Sequence, residues 1–367
     1  MSSAELPPPD HAGRRDAARH LLLERDATHL LVTDPVNVRY LSGFTGSNGQ
    51  LLLAADPLGD RLITDQRYDE RAATTCPDLP RILDRDAIGA ALSAAPGAAL
   101  LVEAAHLSWR QGRELTDRAA EVGVRLDDAD GLVEALRLVK DPDEVRRLTE
   151  ACRITQETLA WLFAEMVAPG VSERDLARTL ERGFIDAGAD GIAFPSIVAS
   201  GPNAAIPHHE PTTRTLQPGD LLTIDCGAEV DGYHADHTRT VAIGHLDAQL
   251  RRVHETVRTA QQLGREAVLA GAAAGEVDTA ARAVIEEAGY GDAFLHGTGH
   301  GVGLRIHEAP SVSRGSAATL TPGMALTVEP GIYLSGRGGV RIEDTLVVTA
   351  DAPAHALTDS PRELLVL

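Results

Sequence analysis

The stretch Leu221–Asp236, LLTIDCGAEVDGYHAD, decides the fold of the C-terminal part of this 367-residue chain. An apolar run leads into Asp225, and Asp231-Gly232 is a strong signal for a hairpin turn between antiparallel strands. Two such strands could bring the carboxylates of Asp225 and Asp236 together. In the alternative interpretation Asp225 ends a strand and Asp236 lies in a turn, and the stretch taken alone favours that alternative.

A glycine-rich stretch further along the chain carries three histidines, His296, His300 and His307, in HGTGHGVGLRIH. Glycines let the backbone approach a ligand closely. Three histidines in twelve residues favour a functional site over a structural role. GHGVG superficially suggests a phosphate loop, but the full dinucleotide-binding pattern is missing. The stretch therefore indicates a binding or catalytic site.

Two later segments place polar residues in apolar strands. Glu329 ends the run ALTV just before Pro-Gly, and Arg341 and Glu343 lie two residues apart in VRIEDTLVV. Residues two apart share one face of a strand. The alternative for Arg341 and Glu343 is an ordinary ion pair on the surface.

Together these segments supply four carboxylates and one imidazole: Asp225, Asp236, His300, Glu329 and Glu343. Four buried carboxylates would repel one another and resist ionisation, and two divalent cations would remove that repulsion. An oxygen-rich set with one nitrogen suits manganese better than structural zinc. Two metals can polarise a carbonyl and lower the pKa of a bridging water, so the predicted chemistry is metal-assisted hydrolysis. The zincin, nucleophile-elbow and phosphate-loop motifs are all absent.

The composition excludes several classes of partner. The chain has 54 acidic and 34 basic residues, for a net charge of −20, which disfavours binding to nucleic acid or to a membrane surface. The negative charge either serves solubility alone, or some of the carboxylates are clustered to hold cations. The cysteines Cys76, Cys152 and Cys226 are odd in number and lack a CxxC pair, which predicts a reducing, cytoplasmic location. We predict no signal peptide and no transmembrane segment.

The length predicts two domains, at residues 1–130 and 131–367, with the boundary near Asp127–Gly131. The first alternates helices and strands, which is typical of a small α/β domain. Its predicted helices are His11–Arg25 and one beginning at Ser108. Its predicted strands are His29–Asp34, Gln50–Asp56, Arg61–Asp65 and Ala99–Val102.

The second domain begins with predicted helices and contains a weak repeat. Asp141-Pro142 followed by Glu144 predicts a capped helix running to about residue 167, and a second helix follows over Ser172–Ala187. The pattern at Val167–Gly188 returns 101 residues later at Val268–Gly289. If it is not a chance similarity, the repeat predicts pseudo-twofold symmetry with a site between the halves.

The sequence resembles the metallopeptidase family that contains prolidase, aminopeptidase P and methionine aminopeptidase. The resemblance implies an α/β (α+β) protein, with an N-terminal creatinase-like α/β domain followed by a C-terminal pita-bread domain with pseudo-twofold symmetry. The matching catalytic motifs are IVASGPNAAIPHH (Ile197–His209), GDLLTIDCGAEVDGYHADHTRT (Gly219–Thr240), HGTGHGVGLRIHEAP (His296–Pro310), TVEPGIY (Thr327–Tyr333) and VRIEDTLVV (Val340–Val348). The creatinase-like motifs are TDPVNVRYLSGFTGSNG (Thr33–Gly49) and TDQRYDERA (Thr64–Ala72).

All five metal-ligand positions of that family match. The resemblance implies that Asp225 binds one metal, that Asp236 and Glu343 bridge the pair, and that His300 and Glu329 bind the second. Manganese is the expected ion, with cobalt or zinc as alternatives. Creatinase shares the fold but lacks these ligands, so a metal-free creatine hydrolase is disfavoured.

The resemblance also implies roles around the metals. Glu329 is expected to act as a base that assists the attacking water. His208 matches a histidine that stabilises developing charge near the scissile bond, and His307 one that contacts the substrate carbonyl. His296 lines the same pocket, and Arg341 matches an arginine that orients the acidic groups.

The implied activity is hydrolysis of the bond before proline, by an Xaa-Pro dipeptidase or an aminopeptidase P that acts on dipeptides or short peptides. Some prolidases have an arginine where this chain has Ser311, and Arg305 or Arg314 could substitute for it. The family implies a homodimer, in which SGFTGSNG (Ser42–Gly49) approaches the partner's site or is a plain loop. Two alternatives are a related hydrolase of a non-peptide amide or small ring compound and a non-catalytic binding module.

Overall fold

A computed structural model describes residues 6–351 and 353–367. The predicted N-terminal domain begins with residues 1–5, which lie outside this range. The fold divides into one compact unit over Pro8–Arg137 and a second over Leu138–Leu367, to which Pro7 also belongs. The domain boundary placed after residue 130 stays a prediction. Within the described residues no helix combines the length and apolar character needed to cross a bilayer.

The first unit is a mixed sheet with helices. Its strands are β1 (His29–Val32), β2 (Gly49–Ala54), β3 (Arg61–Thr64), β4 (Arg81–Leu83), β5 (Ala99–Val102) and β6 (Arg125–Asp128). Its helices are α1 (His11–Glu24), α2 (Pro35–Ser42), α3 (Asp69–Thr75), α4 (Ala87–Ala94), α5 (Trp109–Glu121) and α6 (Leu132–Leu138). The strand order is β4-β3-β2-β1-β5-β6, in which only the β1–β2 and β2–β3 pairs are antiparallel. The prediction of an α/β domain is confirmed.

The predicted elements of this unit form within one or two residues of their expected bounds, whereas six elements were not predicted: β4, β6, α2, α3, α4 and α6. The strand expected over His29–Asp34 ends at Val32, because Asp34 caps α2. The Asp34 carboxylate accepts the backbone N–H of Val36 at 2.9 Å, and Pro35 occupies the first helical position.

The second unit contains the long helices and several small sheets. Its helices are α7 (Pro142–Glu165), α8 (Glu173–Asp186), α9 (Ala248–Glu266) and α10 (Ala274–Glu287). Its strands are β7 (Gly191–Ile192), β8 (Ile197–Ser200), β9 (Leu221–Cys226), β10 (Ala228–Val230), β11 (Tyr233–His234), β12 (His237–Ala242), β13 (Gly299–Gly301), β14 (Glu308–Val312), β15 (Ala325–Val328), β16 (Gly331–Leu334), β17 (Gly338–Arg341), β18 (Asp344–Val347) and β19 (His355–Ala356). The sheets are β11-β10-β7, β12-β9-β8, β14-β13-β15-β18-β19 and β16-β17.

The predicted repeat is present in this unit. Helices α8 and α10 begin at Glu173 and Ala274, and 274 − 173 gives the expected spacing of 101 residues. The glycines before them, Gly170 and Gly271, both have positive φ, at 92° and 87°. Each donates its N–H to a leucine carbonyl further along its own half, Gly170 at 2.9 Å and Gly271 at 2.8 Å. The pseudo-twofold prediction is confirmed.

The capping box predicted for α7 also forms. Asp141 accepts the N–H groups of Asp143 and Glu144 at 2.8 Å each, and Glu144 accepts the N–H of Asp141 at 3.0 Å. These bonds satisfy donors that a helix N-terminus otherwise leaves unpaired. The helix ends at Glu165, two residues before the expected end.

The hairpin predicted in Leu221–Asp236 exists, but with an inner and an outer pair of strands. Strands β10 and β11 meet through Asp231 and Gly232, which both have positive φ, at 46° and 76°. The flanking strands β9 and β12 pair antiparallel, with Asp225 opposite Thr238. All residues of β9 and β12 are buried, so polar groups on these strands face other protein groups.

Candidate metal centre

Three carboxylates meet between strands of the second unit. Asp225 lies in β9, Asp236 immediately precedes β12, and Glu343 joins β17 to β18. One carboxylate oxygen of each lies within 4.8 Å of the corresponding oxygens of the other two. The antiparallel pairing of β9 and β12 brings Asp225 and Asp236 together, although Asp225 lies near the end of β9 and Asp236 lies outside the strands, as the alternative interpretation placed them.

His300 and Glu329 join this cluster from the C-terminal half of the unit, which also supplies Glu343. Glu329 follows β15, as expected, and His300 lies in β13. The His300 Nε2 atom is 3.5 Å from Oδ2 of Asp236 and 3.4 Å from Oε1 of Glu329. The structure thus brings together all five residues that the sequence proposed as metal ligands.

The clustered acids hold protons more tightly than usual. Burial, then repulsion from Glu343 and Asp225, raises the pKa of the Asp236 carboxyl well above its usual range. Burial, then repulsion from Glu329 and Asp225, does the same to the pKa of Glu343. Burial also raises the pKa of Glu329 to about 8, although the Arg341 guanidinium opposes the rise. The protein groups alone therefore do not neutralise this cluster.

Two buried oxygens of the cluster lack a hydrogen-bond donor: Oδ1 of Asp225 and Oε1 of Glu343. A buried carboxylate oxygen without a partner is costly unless a cation or a proton satisfies it. The donor set is four carboxylates and one imidazole, which is the chemistry that hard divalent cations prefer. The residues present therefore fit the pair of metals that the sequence led us to expect.

His300 is suited to ligate through Nε2. Burial lowers its pKa to about 4, so the ring is neutral near pH 7. Its Nδ1 lies 3.0 Å from the carbonyl oxygen of Gly301, which assigns the N–H to Nδ1. The lone pair is then on Nε2, the nitrogen that lies nearest to Asp236 and Glu329.

Arg341 is buried beneath the cluster, with 3% of its surface exposed, so the alternative of a surface ion pair is wrong. Its Nη2 donates to Oδ2 of Asp225 at 2.6 Å, and its Nε is 3.9 Å from Oε2 of Glu329. Its Nη1 donates to the hydroxyl of Tyr333 at 2.8 Å. This single cation offsets part of the acidic charge and fixes the orientation of Asp225.

Tyr333 is a site residue that the sequence reasoning missed. Its hydroxyl contacts both Nη1 of Arg341 and Nε2 of His296, at 2.8 Å in each case. It thereby connects the cluster to His296, the histidine that the resemblance led us to expect in the substrate pocket. The signal was available, because Tyr333 ends the motif TVEPGIY.

The remaining predicted residues lie around the cluster. The ring of His307 packs edge-on against His300, with their centroids 4.4 Å apart. Burial, then repulsion from Arg341, lowers the pKa of His296 to about 4, and the charge of His208 adds to this effect, so His208 and His296 are neighbours. His208 is exposed, whereas His296 is half-buried. The two histidines expected to contact substrate, His208 and His307, thus remain accessible to solvent.

Comparisons with known proteins agree with this architecture. Residues 146–350 match Metallopeptidase family M24, and residues 14–139 match the Creatinase/Prolidase N-terminal domain. An uncharacterized peptidase of Bacillus subtilis is 37% identical over 354 residues, covering 95% of this chain and 98% of the relative. The chain belongs to metallopeptidase family M24, as the motifs led us to expect.

Two solved structures have a similar fold over almost the whole of this chain. A Xaa-Pro dipeptidase from Bacillus anthracis matches with a TM-score of 0.91 and 34% identity, over 98% of this chain and 100% of that one. An X-Pro aminopeptidase from Thermotoga maritima matches with a TM-score of 0.88 and 31% identity, over 96% of this chain and 99% of that one. The two scores are too similar to separate the dipeptidase from the aminopeptidase class.

Proposed function

We propose that this chain is a metal-dependent Xaa-Pro peptidase that hydrolyses the peptide bond before proline. The observation that carries the proposal is the convergence of five side chains into one acidic cluster with unpartnered oxygens, in a chain of family M24. The similar solved structures are named for cleavage at Xaa-Pro or X-Pro bonds, which supports proline as the residue after the cleaved bond.

The five residues would hold two divalent cations, of which manganese is our first choice and cobalt or zinc the alternatives. Asp225 would hold one cation, His300 and Glu329 the other, and Asp236 and Glu343 both. When bound, such cations supply Lewis acidity and lower the pKa of a water. Their positive charge also favours the deprotonated form of acids whose pKa is raised in the metal-free protein.

The other residues would act on the substrate. We propose that Glu329 accepts the proton of the attacking water, since it lies at the edge of the cluster and is more exposed than Asp236 or Glu343. His208 would stabilise the oxyanion that forms on the scissile carbonyl. His307 would contact that carbonyl, and His296, held by Tyr333, would line the pocket.

We propose that both dipeptides and short peptides are accepted. Ser311 cannot pair with a substrate carboxylate as an arginine would, and its hydroxyl lies 2.8 Å from that of Ser313. Of the two substitutes, Arg314 is 2.7 Å from Glu286. Arg305 is exposed on the loop between His300 and His307, and its position in the chain beside His307 makes it our first candidate for binding a dipeptide carboxylate.

The deciding experiment compares Xaa-Pro dipeptides with Xaa-Pro-Yaa tripeptides, using the manganese-loaded chain. We expect turnover of both sets, with KM for the dipeptides raised in Arg305→Ala and unchanged in Arg314→Ala. No turnover of either set would refute the proposal, and a panel of non-peptide amides and small ring compounds then tests the alternative hydrolase activity.

We also propose a cytoplasmic homodimer. The three cysteines are free and buried, which is consistent with a reducing compartment. The dimer is proposed from the family resemblance, and sedimentation of the purified chain tests it.

A further inference from the structure

Glu173, in the first turn of α8, is a charged side chain with no exposed surface. Its Oε1 accepts the backbone N–H and the hydroxyl of Ser200, at 2.8 and 2.7 Å, and Nδ2 of Asn203 at 3.0 Å. Its Oε2 faces Nε2 of His209 at 2.9 Å and accepts the N–H and hydroxyl of Thr212, at 3.1 and 2.7 Å. One carboxylate thus organises four residues of a single segment, 200–212.

The carboxylate is ionised in this setting. Burial by itself would raise the pKa of Glu173, but the hydrogen bonds from its partners outweigh burial and lower the pKa to about 2. Hydrogen bonds to an ionised acceptor are stronger than those between neutral groups. The segment 200–212 is therefore attached firmly to the N-terminal end of α8.

The same segment carries His208, and both chain neighbours of that residue are held. On one side, His209 contacts Glu173. On the other side, the carbonyl oxygen of Pro207 accepts Nη1 of Arg341 at 3.4 Å. His208 is exposed and lies between these two attachments, so its position depends on them.

We propose that Glu173 is a positioning residue, which holds His208 at the substrate side of the metal centre through His209 and the segment 200–212. This inference rests on the proposed function, in which His208 stabilises the charge that develops on the scissile carbonyl. Displacing such a group by about 1 Å can cost up to about a hundredfold in rate. The role is independent of metal binding, because Glu173 contacts none of the five proposed ligands.

The pseudo-symmetric helix α10 offers a matched control in Asp278, which is also buried. Its Oδ1 accepts the N–H and hydroxyl of Thr298, at 3.2 and 2.9 Å. Its partner Arg282, at 2.8 Å, donates to the carbonyl oxygen of His296 at 2.8 Å. Asp278 therefore anchors a different segment, residues 294–298, by the same kind of contact.

The test is a double-mutant cycle in the full-length, manganese-loaded chain, with kcat measured on an Xaa-Pro dipeptide. We expect Glu173→Gln to lower kcat about tenfold and to change KM less than about twofold, since only the transition state loses a contact. In the His208→Ala background the same substitution should change kcat less than about twofold. An equal loss in both backgrounds overturns the proposal.

Asp278→Asn distinguishes positioning from general loosening of the fold. We expect its effect on kcat to be the same, within about twofold, with and without His208→Ala. Coupling to His208 as large as that of Glu173→Gln would mean that any buried carboxylate gives the result, and would overturn the specific role.

His209 supplies a milder pair of variants if Glu173→Gln does not fold. His209→Gln keeps an N–H donor near the carboxylate, whereas His209→Leu removes it. We expect kcat within about threefold of the parent for the first variant and about tenfold lower for the second. Equal kcat values in the two variants contradict the proposal.

Hydrogen–deuterium exchange gives a readout that needs no turnover. In Glu173→Gln, or in His209→Leu, we expect faster exchange over residues 201–212 and unchanged exchange over 294–300, with the reverse in Asp278→Asn. Unchanged exchange over 201–212 overturns the positioning role even if the chain hydrolyses no Xaa-Pro bond. A parent chain without turnover, but with the expected exchange pattern, contradicts only the proposed function.

Discussion

Asp236 and Glu343 show how a few residues create the need for metal. Oε2 of Glu343 accepts a hydrogen bond from the Thr238 hydroxyl at 2.7 Å, whereas Oε1 of Glu343 has no donor. The Asp236 carboxylate lies 3.5 Å from Nε2 of His300, which is longer than a good hydrogen bond. Burying carboxylates without matching hydrogen-bond donors costs free energy, and bound cations would offset that cost.

Removal of a shared ligand should therefore abolish metal binding and activity together. We expect Asp236→Ala to bind fewer than two manganese ions per chain and to lose about a thousandfold in kcat, corresponding to several kcal/mol of transition-state stabilisation. Elemental analysis of the dialysed protein and a peptidase assay check both results. An Asp236→Ala variant that keeps two metals per chain contradicts the bridging role.

His208→Ala is the matched control for that experiment. It should keep the metal content of the parent and lower kcat by about a hundredfold, the scale of losing one oxyanion donor. Loss of metal from His208→Ala would show that the residue belongs to the metal site instead.

The sequence revealed the five clustered residues because each interrupts an apolar strand or lies in a glycine-rich stretch. It did not reveal Tyr333, whose hydroxyl joins Arg341 to His296. That contact depends on the register of β16 and β17, which places Tyr333 opposite Gly339. A one-residue shift of register would turn Tyr333 to the other face. The motif TVEPGIY marks Tyr333 as a candidate site residue but does not specify that pairing.

At the scale of elements, Gly227 allows the strands that carry Asp225 and Asp236 to approach. It joins β9 to β10, and a Cβ built on it would lie 1.9 Å from the carbonyl oxygen of Ala235. A real Cβ atom does not come so close to a backbone atom, so any side chain here must displace the strand that leads into Asp236.

We expect Gly227→Ala to lose about 1–3 kcal/mol of stability and at least about tenfold in manganese affinity. Gly112→Ala is its control: this residue lies within α5, and a Cβ there would meet nothing within 4 Å. That variant should gain about 0.5–1 kcal/mol and bind manganese normally. Thermal melts and calorimetric titrations measure both, and normal affinity in Gly227→Ala would contradict the argument.

The N-terminal ends of helices were predictable where a capping residue directly precedes a helical pattern of apolar residues, as at Asp141 and Ser108. Helix α2 was missed although Asp34-Pro35 carries the same signal as Asp141-Pro142. It is only eight residues long and follows directly after the predicted strand His29–Asp34, so its apolar pattern is too short to indicate a helix by its period. In the second unit, sheets also pair strands that lie far apart in the chain. Local sequence patterns do not predict such pairings.

At the scale of the whole molecule, the net charge of −20 includes the four carboxylates of the cluster. Two dications would bring the formal net charge to −20 + 4 = −16. Most of the net charge therefore lies outside the cluster and favours solubility. The clustered acids differ from other buried carboxylates, such as Glu173 and Asp278, because they repel one another and two of their oxygens lack a donor. With metal bound as proposed, the stability of the molecule would depend jointly on metal and on pH.

The sign of that dependence follows from the raised pKa values of Asp236, Glu329 and Glu343. Above about pH 4 the unfolded chain has released protons that the metal-free folded state still holds. The stability contributed by these acids in the metal-free protein therefore falls as the pH rises from about 4, and for Glu329 the fall continues until its pKa of about 8. Manganese bound as proposed would favour the deprotonated acids and offset this loss.

We therefore expect the rise in Tm caused by manganese to be larger at about pH 8 than at about pH 6, since protons compete with the metal at the lower value. Thermal melts with and without manganese, at both pH values, measure it. Comparing increments removes the contribution of groups outside the cluster, such as His254, whose pKa burial lowers to about 4. Asp236→Asn should show a small increment at both pH values, and a parent increment that is larger at pH 6 would mean that the acids of the cluster do not hold the metal.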